Sequence, residues 1–310
     1  MKKKIIYEIK GLYRDNFRVT GYEFGEGKQT LCIVGTMRGN EIQQLYCCAS
    51  LIKKFRQLEE EDRILKGNKI LIIPSCNPYS LNIKKRFWPI DNTDINRMFP
   101  GYDLGETTQR IADGIFKAIK DYEYGIQFTS FYMPGDFVPH VRFMEEGYSD
   151  AQTAELFALP YVVKRVVRPY DTATLNYNWQ VWNTKAYSLY SSTTSSIDPK
   201  SAGQIVLSVL NFCSRLGFVK YSGVQTRKSH VILDTQMVNV QTAKSGIFEP
   251  LVKAGDFVEE GTPLAHIINP YEGEILETLY APVSSRVFFM HNEPVTYADT
   301  NVCKLVEIRE

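Results

Sequence analysis

Apolar and polar positions in the first two thirds of the chain follow two alternating patterns. A four-residue apolar run at 31–34 is followed by a turn at 35–41 and then by apolar residues at helical spacing, among them Ile42 and Leu45. The run at 69–74 is almost unbroken, as in a parallel strand that is buried on both faces. Strands that alternate with helices predict an α/β fold with a mixed, mainly parallel sheet flanked by helices. Further strands are predicted at 5–7, 17–22, 124–129, 161–167 and 185–190, and further helices at 106–121 and 198–216.

The pattern changes after about residue 223. Short alternating runs recur at roughly 10-residue intervals with Gly, Pro and Asn between them, and no helical period is present. The sequence therefore predicts two domains, an α/β domain at 1–223 and a small all-β domain at 224–310. The strands of the second domain are predicted at 231–233, 237–240, 246–248, 257–258, 264–268, 275–279, 286–290 and 302–308.

The composition of the chain indicates which kinds of binding partner and which cellular compartment to expect. The net charge of +1 does not indicate nucleic acid or an anionic membrane surface as the main partner. No segment approaches about 18 consecutive apolar residues, so no membrane span is predicted. The six cysteines lack any CxxC spacing, which is typical of small core residues in a reducing compartment. We expect a cytoplasmic protein, and a homo-oligomer remains possible.

The turn at 35–41 and one long loop carry the candidate chemistry. In α/β folds, ligands bind at the carboxyl ends of strands, and this turn directly follows one. Gly35 and Gly39 allow the backbone to bend sharply and to approach a bound molecule, and Arg38 and Glu41 are the charged residues of the turn. The polar segment 79–105 is longer than an ordinary connection, which is typical of a functional loop.

Three groups of motifs resemble the succinylglutamate desuccinylase/aspartoacylase family, within the wider zinc carboxypeptidase group. The sequence GTMRGNE at 35–41 resembles the signature G-x-x-H-G-N-E. Asn77-Pro78, Arg86 and the sequence DINRMFPG at 94–101 resemble the block N-P…R…D-L-N-R-x-F-P-G. The segments 246–250, 255–261 and 281–282 resemble the appended β-domain of that family, so the resemblance extends from about residue 5 to the end of the chain.

The resemblance implies a fold and a mechanism. The fold is a zinc carboxypeptidase-like α/β domain with a small C-terminal all-β domain that is like a lipoyl or biotinyl barrel. In the mechanism, His, Glu and His hold zinc, and the fourth position of the metal binds water. A Glu takes the proton of that water, an Arg stabilises the oxyanion, and an Asn-Arg pair binds the substrate carboxylate. Arg86 matches the oxyanion position, and Asn96 and Arg97 match the carboxylate-binding pair.

Three of the implied metal and base positions carry other residues. Arg38 stands at the first His position, Thr129 at the second and Tyr190 at that of the general base, whereas Glu41 is retained as a possible ligand. A guanidinium has no lone pair for a metal, a Thr hydroxyl is a poor zinc ligand, and a Tyr is a weak base at neutral pH. The sequence therefore predicts a site without zinc, and no cofactor is expected. In the alternative, other ligands such as His140 have been recruited and zinc is bound.

The sequence leaves two alternative roles open for Arg38. It can turn inward, pair with Glu41 and remove the penalty of a buried unpaired carboxylate. It can also be an exposed residue on a mobile turn. If it turns inward, Arg38, Arg86 and Arg97 make a positive pocket for a carboxylate.

Three functions remain open. The first is a metal-free, catalytically impaired family member (a pseudoenzyme with a hydrolase fold) that binds an acidic small molecule or a peptide carboxylate. The second is an active zinc-dependent hydrolase, an amidohydrolase, deacylase or carboxypeptidase that acts on N-acyl amino acids or peptides. The third is a scaffold with a vestigial pocket, in which the β-domain mediates assembly. Whether the chain is an enzyme is therefore left undecided by the sequence.

Overall fold

The computed structural model describes residues 1–11, 15–145 and 147–308. The strands up to residue 233 are β1 (Lys2–Ile9), β2 (Phe17–Phe24), β3 (Gly27–Thr36), β4 (Gly67–Ser75), β5 (Tyr124–Phe128), β6 (Asp136–Phe137), β7 (His140–Met144), β8 (Tyr161–Arg165), β9 (Lys185–Tyr190) and β10 (His230–Leu233). Nine of them form one large sheet, in the order β1-β2-β4-β3-β5-β9-β7-β8-β10. The helices are α1 (Ile42–Glu60), α2 (Pro78–Asn82), α3 (Thr107–Ile119), α4 (Ala151–Glu155), α5 (Leu175–Val181) and α6 (Pro199–Arg215).

The sheet is mixed and mainly parallel, which confirms the predicted fold class. Strands β4, β3, β5 and β9 run parallel to one another, and β7, β8 and β10 form a second parallel set. The pairs β1–β2, β2–β4 and β7–β9 are antiparallel. Because β3, β5 and β9 are adjacent and parallel, their carboxyl ends meet at one edge of the sheet, where the residues that follow them converge.

Helices cover both faces of the sheet because successive side chains of a strand point to opposite sides. In β3, Leu31 and Ile33 belong to the apolar core formed with α1 and α6. Cys32 and Val34 belong to the core formed with α3 and α5 on the other face. Both faces of β3 are therefore buried, as is typical of a central parallel strand.

The C-terminal strands form two antiparallel sheets. One has the order β11-β18-β16-β13 and the other the order β15-β14-β12-β17, with an apolar core between them. Within the described residues the sheets do not close into a barrel, so the barrel-like fold implied by the resemblance is realised as two open sheets. Their strands are β11 (Val238–Gln241), β12 (Gly246–Pro250), β13 (Phe257–Val258), β14 (Pro263–Ile268), β15 (Ile275–Tyr280), β16 (Ser285–Met290), β17 (Val295–Thr296) and β18 (Asn301–Glu307).

Two strands tie the large sheet to the C-terminal sheets. Strand β6 pairs with β16, with Phe137 opposite Phe289, and both rings lie in a shared apolar cluster with Tyr190. Strand β10, which the sequence pattern groups with the C-terminal strands, instead pairs in parallel with β8 of the large sheet. The domain boundary at 223/224 stays a prediction. The packing brings β18 to one side of the carboxyl edge of the large sheet.

Two expectations from composition agree with the structure. The six cysteines are buried and free of disulfides, as small core residues are. Among the described residues, no helix is both long and apolar enough to cross a membrane.

Candidate functional site

The carboxylate of Glu41 lies at the start of α1 and folds back onto the turn that precedes it. Its Oε2 accepts hydrogen bonds from the backbone N–H groups of Met37 (2.8 Å) and Arg38 (3.0 Å). Its Oε1 accepts from Nη1 of Arg38 (3.0 Å) and from the hydroxyl of Ser130 (2.7 Å). Four donors thus occupy the two oxygens, and a carboxylate has about four lone-pair positions.

The glycines of the turn make room for neighbouring protein backbone. A Cβ at Gly39 would lie 2.3 Å from the carbonyl oxygens of Ser80 and Lys85, and a Cβ at Gly35 would lie 2.5 Å from the carbonyl oxygen of Pro74. The sequence predicts that these glycines let the turn lie close to another group. In the structure, that group is the backbone of neighbouring segments of the same chain.

Arg38 turns inward and pairs with two carboxylates. Besides Glu41, its guanidinium contacts Asp94, with Nη2 at 2.8 Å and Nε at 3.1 Å from Oδ2. Burial opposes its charge, but the carboxylates of Glu41 and Asp94 outweigh burial and raise the pKa of Arg38. The predicted pairing of Arg38 with Glu41 is confirmed, and the alternative of an exposed residue on a mobile turn is wrong. The sequence missed the contribution of Asp94.

Thr129 lies directly after β5, at the carboxyl edge where the resemblance places a second metal ligand. Its hydroxyl donates to the carbonyl of Leu189 on the neighbouring β9, at 3.4 Å. Ser130, the next residue, reaches Glu41 instead. The sequence missed Ser130, although its position directly after the predicted strand at 124–129 was a usable signal.

Asn96 and Arg97 lie in a short 3-10 turn, Ile95–Arg97, that Asp94 caps by accepting from the backbone N–H of Asn96. The side-chain oxygen of Asn96 accepts from Nε2 of Gln127 on β5, at 3.0 Å, so its NH₂ group is the part available to a ligand. Nη1 of Arg97 donates to the carbonyl of Tyr170, at 2.8 Å. Both residues line the cavity described below.

Arg86 is not among the residues that line the cavity. Its backbone carbonyl accepts from Gly39, at 3.2 Å. Burial and the neighbouring charge of Arg38 lower the pKa of its guanidinium. The structure therefore brings Arg86 close to Arg38, but not among the residues that surround the cavity.

Tyr190 ends β9, as predicted, and its ring is held between two side chains of β7. The ring stacks on His140, with centroids 4.5 Å apart, and the Arg142 guanidinium lies 4.7 Å from its centroid. Complete burial and the charge of Arg142 lower the pKa of His140, and its Nδ1 bonds the Val138 carbonyl at 2.8 Å. His140 does not line the cavity, so it does not serve as a replacement ligand there.

A cavity of about 560 Å³ lies at the carboxyl edge of the sheet, and its lining includes Arg38, Asn96, Thr129 and Tyr190. Its two lining carboxylates, Asp171 and Asp234, both pair with Arg165, at 2.9 and 3.5 Å. Four other lining cations form no ion pair with a carboxylate of the described residues. These are Arg97, Arg142, Arg168 and Lys304.

Only Arg97 of those four cations was identified from the sequence. Arg142 offered a usable signal, because a charged residue inside the apolar strand β7 indicates a buried charge. Lys304 offered none, because only the folded chain brings β18 to the cavity. With Glu41 and Asp94 behind Arg38, the cavity has six cationic and four anionic side chains, an excess of two positive charges.

The residues at the implied metal positions do not fit zinc. Arg38 donates only, the Glu41 oxygens already accept four hydrogen bonds, and the Thr129 hydroxyl is bonded to a carbonyl. Within the part of the chain that the structure describes, no group of three or more His, Cys, Asp or Glu side chains could hold a metal ion.

Comparisons with known proteins agree with the motifs. The model of the succinylglutamate desuccinylase/aspartoacylase catalytic domain matches residues 27–128. N-alpha-acetyl-L-2,4-diaminobutyric acid deacetylase from Halomonas elongata is 24% identical over 261 residues, which are 80% of this chain and 73% of that protein.

Solved structures share the fold. A succinylglutamate desuccinylase from Silicibacter sp. TM1040 has a TM-score of 0.82 at 19% identity, covering 98% of this chain and 93% of that one. The product-bound ectoine utilization protein EutE (DoeB) from Ruegeria pomeroyi has a TM-score of 0.79 at 19% identity, covering 94% and 90%. The family model thus matches residues 27–128, and the fold is shared with solved proteins of the succinylglutamate desuccinylase/aspartoacylase family, in agreement with the resemblance of the motifs.

Proposed function

We propose that this chain is a metal-free, catalytically impaired member of its family that binds an acidic small molecule or a peptide carboxylate. The ion pairs of Arg38 with Glu41 and Asp94 support the proposal, because they fix a positive charge in the turn that resembles the metal-binding signature of the family. A guanidinium in this position binds anions but does not ionise a water molecule for attack on an amide.

The charge of the cavity supports the nature of the ligand. Asn96 offers its NH₂ group and Arg97 retains free guanidinium donors, an arrangement suited to a carboxylate. In this proposal Arg38 and Arg97 attract the ligand, and the nearby Arg86 adds positive charge without lining the cavity.

The surroundings of the cavity also disfavour hydrolysis. Tyr190, which the resemblance implies as the replacement of the general base, packs against His140 and Arg142. The lining carboxylates Asp171 and Asp234 are both engaged with Arg165, so neither is free to take a proton from water.

The alternative is an active zinc-dependent hydrolase of N-acyl amino acids or peptides. It is favoured by the similarity to a deacetylase from Halomonas elongata. A scaffold with a vestigial pocket is the third possibility, and cytoplasmic location and homo-oligomer formation stay predictions.

Two measurements on the full chain test the proposal. Metal analysis of protein purified without chelator should find no stoichiometric zinc. Stoichiometric zinc whose removal abolishes a hydrolytic activity would favour the alternative. Calorimetric titration with succinate, a simple carboxylate probe, should show saturable binding that neutral succinamide does not. Arg97→Gln should weaken succinate binding by about tenfold or more.

Arg110→Gln is the matched control for that substitution, because Arg110 is exposed on α3, away from the cavity. Its succinate affinity should equal that of the wild type. If succinate does not bind, or if Arg97→Gln binds it unchanged, the carboxylate-binding proposal is wrong.

A further inference from the structure

Arg142 carries a buried charge that no carboxylate of the described residues neutralises. Its side chain is nine-tenths buried and lines the cavity. Its Nε has no hydrogen-bond partner, and its Nη2 reaches only Nε2 of His140, at 3.5 Å. The guanidinium lies over the rings of Phe131 and Tyr190, whose faces attract a cation but accept no strong hydrogen bond. A buried guanidinium in this state is suited to an anionic ligand.

Two more cations lie on the same side of the cavity. Lys304, on β18 of the C-terminal sheet, donates to the side-chain oxygen of Asn239 at 2.8 Å. Arg168, which follows β8, donates from Nη1 to the hydroxyl of Tyr170 at 3.0 Å. Burial and the charges of Arg142 and Arg168 lower the pKa of Lys304, which reflects how closely these cations are grouped.

The carboxylates next to this group are already engaged. Asp171 accepts from Arg165 through both of its oxygens, at 3.0 and 2.9 Å. Asp234 pairs with Arg165 at 3.5 Å, and its other oxygen accepts from the backbone N–H of Val166 at 3.4 Å. Three cations therefore converge on the cavity without a counter-charge of their own.

We propose that Arg142, Lys304 and Arg168 form a phosphate-binding subsite, so that the natural ligand of this cavity is a phosphorylated small molecule. A phosphate dianion supplies two negative charges and several acceptor oxygens, whereas a carboxylate supplies one charge and two oxygens. The planar guanidinium fork matches phosphate oxygens, and the lysine ammonium adds a point charge. Phosphate therefore suits this group better than a second carboxylate does.

The inference deepens the proposed function, since the same cavity also holds Asn96 and Arg97. A volume of about 560 Å³ is within the usual range for a small-molecule site, so both ends of one ligand have room. The cations come from three separate parts of the fold, β7, the segment after β8, and β18. The subsite is consequently assembled by the docking of the C-terminal sheets.

Calorimetric titration of the full chain with inorganic phosphate tests the subsite. The wild type should bind phosphate saturably at one site. Arg142→Gln, Lys304→Gln and Arg168→Gln should each weaken it by about tenfold or more, the effect of losing one charge-assisted contact. Arg110→Gln should bind phosphate like the wild type, and Arg97→Gln should lose succinate affinity while retaining phosphate affinity.

The outcomes separate the two proposals. Succinate binding without saturable phosphate binding overturns the phosphate subsite alone, whereas phosphate binding without succinate binding overturns the carboxylate site alone. Unchanged phosphate affinity in the Lys304 and Arg168 variants also overturns the subsite. Because Arg142 is buried, circular dichroism must show that the Arg142→Gln variant is folded. If that variant is unfolded, the phosphate affinities of the Lys304→Gln and Arg168→Gln variants alone test the subsite.

Discussion

The Arg38 guanidinium and the Glu41 carboxylate form a buried ion pair, with Nη1 3.0 Å from Oε1 and side chains only 8% and 1% exposed. Asp94 holds the other side of the same guanidinium at 2.8 Å. A positive side chain is therefore fixed beside the one carboxylate retained from the implied metal ligands. This arrangement links the stability of the fold to the chemistry of the site.

Replacing Arg38 by Met should destabilise the protein strongly. The substitution leaves Glu41 buried without a charged partner, which costs about 3–5 kcal/mol in comparable buried pairs. Urea denaturation should show that loss in the free energy of unfolding. Ser130 and the two backbone N–H groups remain on Glu41, so the variant should still fold at low temperature.

Arg86→Met is the matched control. Burial and repulsion from Arg38 disfavour the charge of Arg86 in the folded state, so its removal should cost less than about 1 kcal/mol. Equal losses in the two variants would contradict the role given to the Arg38–Glu41 pair.

Restoring the implied ligands should create zinc affinity. The triple variant Arg38→His, Thr129→His and Tyr190→Glu supplies two imidazoles beside Glu41, and equilibrium dialysis should show bound zinc. Arg38→His alone provides only two of the three ligands and should bind zinc much more weakly. The melting temperature of the wild type should not respond to EDTA; a chelator-dependent fall would indicate a bound metal in the native protein.

His140 should make stability depend on pH. Burial and the charge of Arg142 lower its folded pKa well below the ordinary value, so the unfolded chain binds its proton first as the pH falls. Stability is then full above the unfolded pKa of about 6.5, and about 1.4 kcal/mol is lost by about pH 5.5. Urea denaturation at about pH 7.5 and 5.5 measures the difference.

A His140→Gln variant should lack this component of the pH dependence. His266→Gln, in the C-terminal sheet, is the comparison and should retain it. The charged or hydroxyl-bearing side chains that contact His140 are those of Arg142 and Tyr190, and its other ring neighbours are phenylalanines. If His140→Gln and the wild type lose equal stability over this range, the assignment to His140 is wrong.

Local sequence patterns predicted the limits of those elements that combine a clear apolar pattern with a clear start or end signal. Strand β9 was predicted at its observed limits, and α6 begins after Asp198 with a proline in its first turn. Strand β1 is longer than predicted because Lys2 to Lys4 are exposed and carry no apolar signal. Strand β10 was placed with the wrong sheet, since a short apolar run does not show which strand it will pair with.

The sequence by itself indicated the family resemblance and predicted the mixed and mainly parallel sheet that the structure confirms. The assignment of Arg38 and Thr129 to the implied metal positions also came from the sequence and stays a prediction. These properties depend on residue type and on spacing along the chain. The tertiary structure alone decided that Asp94 completes the Arg38 cluster and that Lys304 joins Arg142 at the cavity. Residues 56 positions apart, as Arg38 and Asp94 are, or on different sheets, meet only through strand order and docking. Since charge in a buried site depends on which partners come within hydrogen-bond distance, the ionic balance of the cavity is a property of the fold.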